Sequence, residues 1–474
     1  MLPRNIKAAH RCFSNKASSI EISKLNNGLR IVTDSTPGHF SALGAYVNAG
    51  SRFETDSISG LSHMIDVMAW KSTSKRTGNQ MMDDLARLGG NYMSGAQREL
   101  ILYQSSVFNK DTEKMFECIS ETIREPKFTD SEFEEAKLTG MYELEELSHK
   151  HDMLLPEVLH EAAYSKKTLG MPIYGTYGSL SSLTADDAKK YHQKFFTPDN
   201  FVLALVGVDH LKAVHMAEKY LGDWKSCDLG QAIEKSPAKY EGGEVSLPYQ
   251  EPRFSNLPKL VHMQIAFETG GLLSNDLYAL ATLQKLLGGG LSFSAGGPGK
   301  GMFLRLFRVL NQYPFVENCM AFNHAHTDSG LFGITISCYA EHAEYMAQVA
   351  CHELAKIMEP TSSEGGIKKQ EFDRAKNQLV SSLLMNVESK LAALEDIGRQ
   401  VQFQGKVTQV EEMVTRIENL SIADVREVAQ KVLQGRGNGA EPTRPTVVMQ
   451  GDRDSMGDVN YVLKFFGLDQ TLAK

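Results

Sequence analysis

The chain has 474 residues, with 50 Lys and Arg against 58 Asp and Glu, a formal charge of −8, and 42% hydrophobic and 23% charged residues. That length exceeds one ordinary core, so two or more domains are expected, and the composition excludes wholesale disorder. No window approaches 18 uninterrupted apolar residues, which excludes a transmembrane helix, and the acidic balance argues against nucleic acid as a partner.

The N-terminus differs from the rest. Arg4, Lys7, Arg11 and Lys16 are basic, and no acid precedes Glu21. Leu2, Ile6, Ala9 and Phe13 fall on one helical face, with Arg4, Lys7 and Arg11 on another. A basic amphipathic helix free of acids is the composition of a mitochondrial transit peptide, expected here over residues 1–13 with cleavage after Phe13. Its removal deletes three cations and no acid, taking the formal charge from −8 to −11.

Further along, residues 29–33, 42–49, 101–107 and 202–206 read as strands. Residues 62–69, 81–88, 110–124, 130–147 and 185–195 carry helical periodicity. Grouped strands with helices clustered between them predict an α+β fold with helices packed on a mostly antiparallel sheet. Six scattered cysteines, none in a C-x-x-C pair, predict reduced thiols rather than a disulfide framework.

The chain repeats itself. Ser131-Glu132-Phe133-Glu134-Glu135-Ala136-Lys137 returns as Gln370-Glu371-Phe372-Asp373-Arg374-Ala375-Lys376, and Leu183-Thr184-Ala185-Asp186-Asp187 as Leu420-Ser421-Ile422-Ala423-Asp424. An apolar strand ending at Gly207 pairs with one ending at Gly451. Matches in one order at nearly one offset predict two copies of one domain, over residues 20–235 and 259–474. The stretch 236–258, with Pro237, Gly242, Gly243, Pro248, Pro252 and Pro258, reads as linker.

Seven glycines lie between Gly288 and Gly301. The spacing fails the P-loop, because Gly299-Lys300 is followed by Gly301, and fails the dinucleotide fingerprint, because Met302 stands where a third glycine is required. A loop that contacts an extended polypeptide fits better than a phosphate cradle. His324-Ala325-His326 sets two imidazoles on one face of a strand, near Asp328, whereas His149-Lys150-His151-Asp152 reads as a polar surface turn. No G-x-S-x-G elbow supports a serine hydrolase.

The segment from Gly60 to Thr73 looks like the zinc motif H-x-x-E-H, in which two histidines one helical turn apart bind the metal and the glutamate activates its water. His63 is present, but Asp66 stands at the glutamate position and Val67 at the second histidine. Valine cannot ligate, so the motif is read as a site that has lost catalysis.

These residues together resemble the pitrilysin-like (inverzincin) metallopeptidases, peptidase family M16. The most specific carriers are the glycine run, Leu310-Asn311-Gln312-Tyr313, Phe315-Val316-Glu317-Asn318-Cys319 and Ala375-Lys376-Asn377-Gln378-Leu379. The resemblance implies two homologous domains of the processing-peptidase-like metallohydrolase fold. It implies no metal or catalytic residue of this chain's own, with His63, Asp66, Val67 and Glu143 as degenerate zinc-motif positions. It further implies the substrate-recognition half of a heterodimer in the mitochondrial matrix. The partner would be a catalytic β subunit holding Zn2+, and the substrates basic N-terminal presequences. Gly288, Gly289, Gly290, Ser292, Phe293, Gly296, Gly297, Gly299, Lys300 and Gly301 are the implied substrate-contacting loop, with Leu291 departing from the family's usual glycine. Glu388, Glu395 and Asp396, and more weakly Glu371, are the acids implied to hold the presequence in an acidic cavity. The alternative is a structural core subunit of the respiratory cytochrome bc1 complex, which shares the duplicated fold. An autonomous metallopeptidase using His63, Asp66, Glu143 and a histidine from elsewhere lacks its second helical ligand.

Overall fold

The computed structural model describes residues 19–225, 235–251, 258–291, 303–439 and 441–471. The expected transit segment therefore lies outside the described residues, as does most of the glycine run.

Two six-stranded sheets organise the chain. The first runs β1-β2-β6-β3-β5-β4, from β1 (Ile20–Lys24), β2 (Arg30–Asp34), β3 (Phe40–Val47), β4 (Asn91–Ala96), β5 (Ile101–Phe108) and β6 (Phe201–Val206). The second runs β7-β12-β8-β11-β10-β9, from β7 (Gly243–Leu247), β8 (Leu260–Gly270), β9 (Gly289–Leu291), β10 (Val316–Ala325), β11 (Ser329–Tyr339) and β12 (Thr446–Gln450). Each sheet has one parallel pair, β2 with β6 and β7 with β12, and is otherwise antiparallel. The α+β expectation is met, and the parallel pairs superimpose the two topologies. β7, which occupies the role of β2, lies within the stretch read as linker.

The repeated sequence signals are helix starts. Thr184 caps the helix Ala185–Phe195 in a box with Asp187, and Ser421 caps Ile422–Leu433 in a box with Asp424. Each hydroxyl accepts a backbone N–H that the helix leaves unpaired, while the acid returns to the cap's own N–H. Glu132 and Glu371 likewise stand at the third positions of Asp130–Ser148 and Lys369–Glu388.

One exchange ties the halves together. The helix His151–Ala163, from the first half, lays Leu155, Leu159 and Ala163 on the outer face of the second sheet, against Ala266, Leu331 and Val448. Lys390–Gln404, from the second half, lays Leu394, Ile397 and Val401 on the first sheet, against Val32, Ala42, Tyr46 and Val202. Full burial of each such side chain contributes roughly 1.5–3 kcal/mol. Covered on both faces, β6 (FVLALV) and β12 (TVVMQ) are buried throughout, so they read as continuous runs without alternation. Gly398 lets its helix press onto the sheet, since any side chain there would run into the Tyr46 ring. Cys118, Cys319, Cys338 and Cys351 are free and buried. No helix among the described residues is long and apolar enough to cross a membrane.

Candidate functional site

The degenerate motif sits on the short helix Leu61–Val67. Gly60 enters it with φ of 87°, a left-handed conformation that suits glycine. The buried Glu54 carboxylate then accepts Gly60 N–H at 2.7 Å and Ser62 N–H at 2.6 Å, satisfying two donors at the helix start. Burial pushes this carboxyl up to about 7, against the pull of the donors at Ser62 and Gly60 and of nearby His63.

The helix Asp130–Ser148 packs against this one, with Gly140 leaving room for Met64. That approach brings the distant acid in: His63 Nε2–H donates to Glu143 Oε2 at 2.6 Å. Tyr174 stands edge-on to the imidazole at 4.8 Å between centroids. Asp66 turns the other way, to the edge of the sheet, where its Oδ2 accepts Ala96 N–H at 3.1 Å. Burial raises its carboxyl, with the Ser94 hydroxyl bond opposing. Val67 packs against the core.

These residues do not fit a metal. Val67 offers no lone pair and Asp66 is spent on β4, which leaves only His63 and Glu143 as donors. Among the described residues, no group of three or more His, Cys, Asp or Glu could hold a metal ion.

The glycine run begins with a sharp turn out of the helix Leu277–Leu287. Gly288 (φ 62°) and Gly289 (φ 105°) hold conformations unfavourable to other residues. Gly289, Gly290 and Leu291 then pair with Met320, Cys319 and Asn318 as the edge strand β9. Ser292, Phe293, Gly296, Gly297, Gly299, Lys300 and Gly301 lie outside the described residues.

The four candidate acids stand in different settings. Glu388 is exposed at the end of Lys369–Glu388. Glu395 accepts from Arg399 at 2.7 Å, and Asp396 accepts from Gln400 at 2.9 Å. Glu371 is buried and receives Arg305 at 2.6 and 3.1 Å and Lys368 N–H at 2.7 Å. Asp396 and Arg399 line a cleft of about 780 Å³ between the halves, whose wall also holds Arg98, Glu99, Lys406 and Arg416. That wall is of mixed charge rather than uniformly acidic.

His324 and His326 reach the same cleft with His160, a residue absent from the sequence reading. The Pro156 carbonyl can only accept, so His160 Nδ1 carries the proton and donates to it at 2.7 Å. His160 Nε2 is then the acceptor for His326 Nε2–H at 3.1 Å. Burial depresses all three imidazoles, with Arg98 adding to the effect, His324 to about 4 and His326 to about 3. Asp328 instead takes the Arg52 guanidinium at 2.7 and 2.6 Å, joining the halves. No local signal could reveal that pair, because its members stand 276 residues apart.

Residues 30–177 match the family described as insulinase, peptidase family M16, and residues 182–379 match the peptidase M16 inactive domain. The mitochondrial-processing peptidase subunit alpha of Neurospora crassa is 41% identical over 498 residues, spanning 90% of this chain and 86% of that protein. The probable counterpart from Schizosaccharomyces pombe is 41% identical over 458 residues, spanning 95% and 89%. The Homo sapiens subunit alpha is 32% identical over 444 residues, spanning 91% and 82%. Among solved structures, a chain of complex III2 from Candida albicans, with Inz-5 bound, superposes with a TM-score of 0.78 at 19% identity, over 95% of this chain and 100% of that one. At that identity the likeness is one of fold alone. With M16 matches in both halves and relatives 32–41% identical over most of its length, the chain belongs to peptidase family M16, on the branch of the mitochondrial-processing peptidase alpha subunits.

Proposed function

We propose that this chain is the non-catalytic, substrate-recognition subunit of a heterodimeric mitochondrial processing peptidase, acting in the matrix. Val67 carries the reading: it has no lone pair where the second helical ligand belongs, and with Asp66 bonded to Ala96 only His63 and Glu143 are left as donors. Cleavage then falls to a zinc-bearing β subunit. The domains, 20–235 and 259–474 with the linker 236–258, supply one half of a chamber. The loop Gly288–Gly301, together with exposed Glu388, with Glu395 and with Asp396 at the inter-half cleft, holds a basic presequence in extended form. Charge complementarity between an acidic chain and an arginine-bearing segment favours capture.

Deleting residues 288–301 tests this. Affinity for a fluorescent presequence peptide is expected to fall at least about tenfold, the loss of roughly 1.4 kcal/mol of contact, with the partner's zinc content unchanged. Unchanged affinity would refute the loop's role. The bc1-core alternative rests on a shared fold at 19% identity, whereas the subunit alpha of Neurospora crassa is 41% identical over most of the chain.

A further inference from the structure

Strand β4 is the outer edge of the first sheet. Its register with β5 runs from Asn91 opposite Ser106 to Ala96 opposite Ile101. The hairpin bond from Gln97 N–H to Leu100 O, at 2.8 Å, sets the phase of the ladder. Counting back from it by twos, Asn91, Met93 and Gly95 exchange bonds with β5, whereas Tyr92, Ser94 and Ala96 aim their N–H and C=O groups at the open edge. Such an edge is a template for another strand. Proteins usually guard edges with proline or charge, yet Asn-Tyr-Met-Ser-Gly-Ala carries neither, and Met93 is 50% exposed.

One side chain stands in that opening. Asp66 Oδ2 accepts the outward Ala96 N–H at 3.1 Å, and the Ser94 hydroxyl bonds the same carboxylate. A carboxylate oxygen there takes the position that the carbonyl of an added strand would fill. Its helix, Leu61–Val67, packs on β4 and holds it in place. Aspartate suits the task, because a glutamate, one methylene longer, would reach past the strand edge.

We infer that Asp66 is a latch: at the position where active relatives place a base, it caps the Ala96 N–H at the end of the free edge of β4 nearest the vestigial site, so that an extended peptide cannot add there. The inference rests on the proposed presequence-binding function, to which it adds where the peptide does not pair. A heterodimer with two similar strand edges would otherwise bind substrate in a second, unproductive register. The latch leaves only the partner's edge beside a working site.

Amide exchange in the full chain tests it, with and without a basic peptide of spaced arginines and leucines. In the wild type, Ala96 is expected to exchange slowly, and the peptide to leave Tyr92 and Ser94 unchanged. Asp66→Ala is expected to speed exchange at Ala96 about tenfold or more, the factor for one charge-assisted hydrogen bond. The peptide should then slow Tyr92, Ser94 and Ala96 together. Asp66→Asn, which keeps an acceptor oxygen, is expected to behave as wild type, and Ser94→Ala to shift the same way as Asp66→Ala but less. A peptide-independent readout separates this inference from the proposed function: sedimentation should show Asp66→Ala, but not Asp66→Asn, self-associating through its opened edge. Peptide protection of β4 in the wild type would overturn the latch. So would an Asp66→Ala chain whose edge gains neither peptide nor self-association. A wild type that binds no peptide at any site would instead count against the proposed function, leaving the latch to be judged by sedimentation.

Discussion

Arg52 joins the two halves, and its removal has a calculable cost. Its guanidinium donates to Glu99 at 2.8 Å, to both oxygens of Asp328 at 2.7 and 2.6 Å, and to the Ser236 carbonyl at 2.8 Å. The arginine side chain is 1% exposed, Glu99 5% and Asp328 34%. Arg52→Met keeps most of the volume but leaves Glu99 buried with less compensation, supported by Lys235 at 2.9 Å and the Thr327 N–H at 2.9 Å. Breaking a buried pair in this way costs about 3–5 kcal/mol. Asp328→Asn, at the more exposed end, retains an acceptor for Arg52 and is expected to cost about 1–2 kcal/mol. Urea unfolding of the purified chain, followed by fluorescence and circular dichroism together, measures both. A loss below about 1 kcal/mol for Arg52→Met, or a larger loss for Asp328→Asn, would mean that burial does not set the rank.

Two further outcomes follow from the His63 region. Because burial raises Glu54 from 4.5 to about 7, the folded state favours the protonated carboxyl, so stability is present in full below pH 4.5 and declines as pH rises from 4.5 to 7. The slope from this group is at most about 1.4 kcal/mol per pH unit, and Glu54→Gln is expected to remove it from a pH series of denaturant melts. Val67→His would restore a helical pair with His63 and is expected to give stoichiometric cobalt binding with visible absorption, with Glu143 as third ligand; the wild-type chain should give none.

Much of the architecture is legible in the sequence because its signals are local. The helix starts at Thr184 and Ser421 announce themselves through hydroxyl and acid three residues apart, and the duplication follows from them. The buried runs of β6 and β12 mark central strands. The edge strand β4 is not legible, because a half-exposed Asn-Tyr-Met-Ser-Gly-Ala has no apolar alternation. Nor is the crossing helix His151–Ala163, whose polar start reads as a turn and whose Pro156 argues against a helix. His151 is in fact half-buried, stacked on His262 at 3.8 Å between centroids. The loss of the metal site is visible in Val67 alone. The redirection of Asp66 to Ala96 is not, since it depends on where the sheet ends. The ion pair of Glu371 with Arg305 is likewise not legible, because Arg305 lies 66 residues away.

The proposed function is tested most directly by tagging the chain at its C-terminus, purifying it gently from mitochondria and identifying its stoichiometric partners by mass spectrometry. A single partner of similar size with an intact H-x-x-E-H motif is expected. Recovery of cytochrome b, cytochrome c1 and the iron–sulfur protein in equal amounts would contradict it and make this chain a respiratory scaffold.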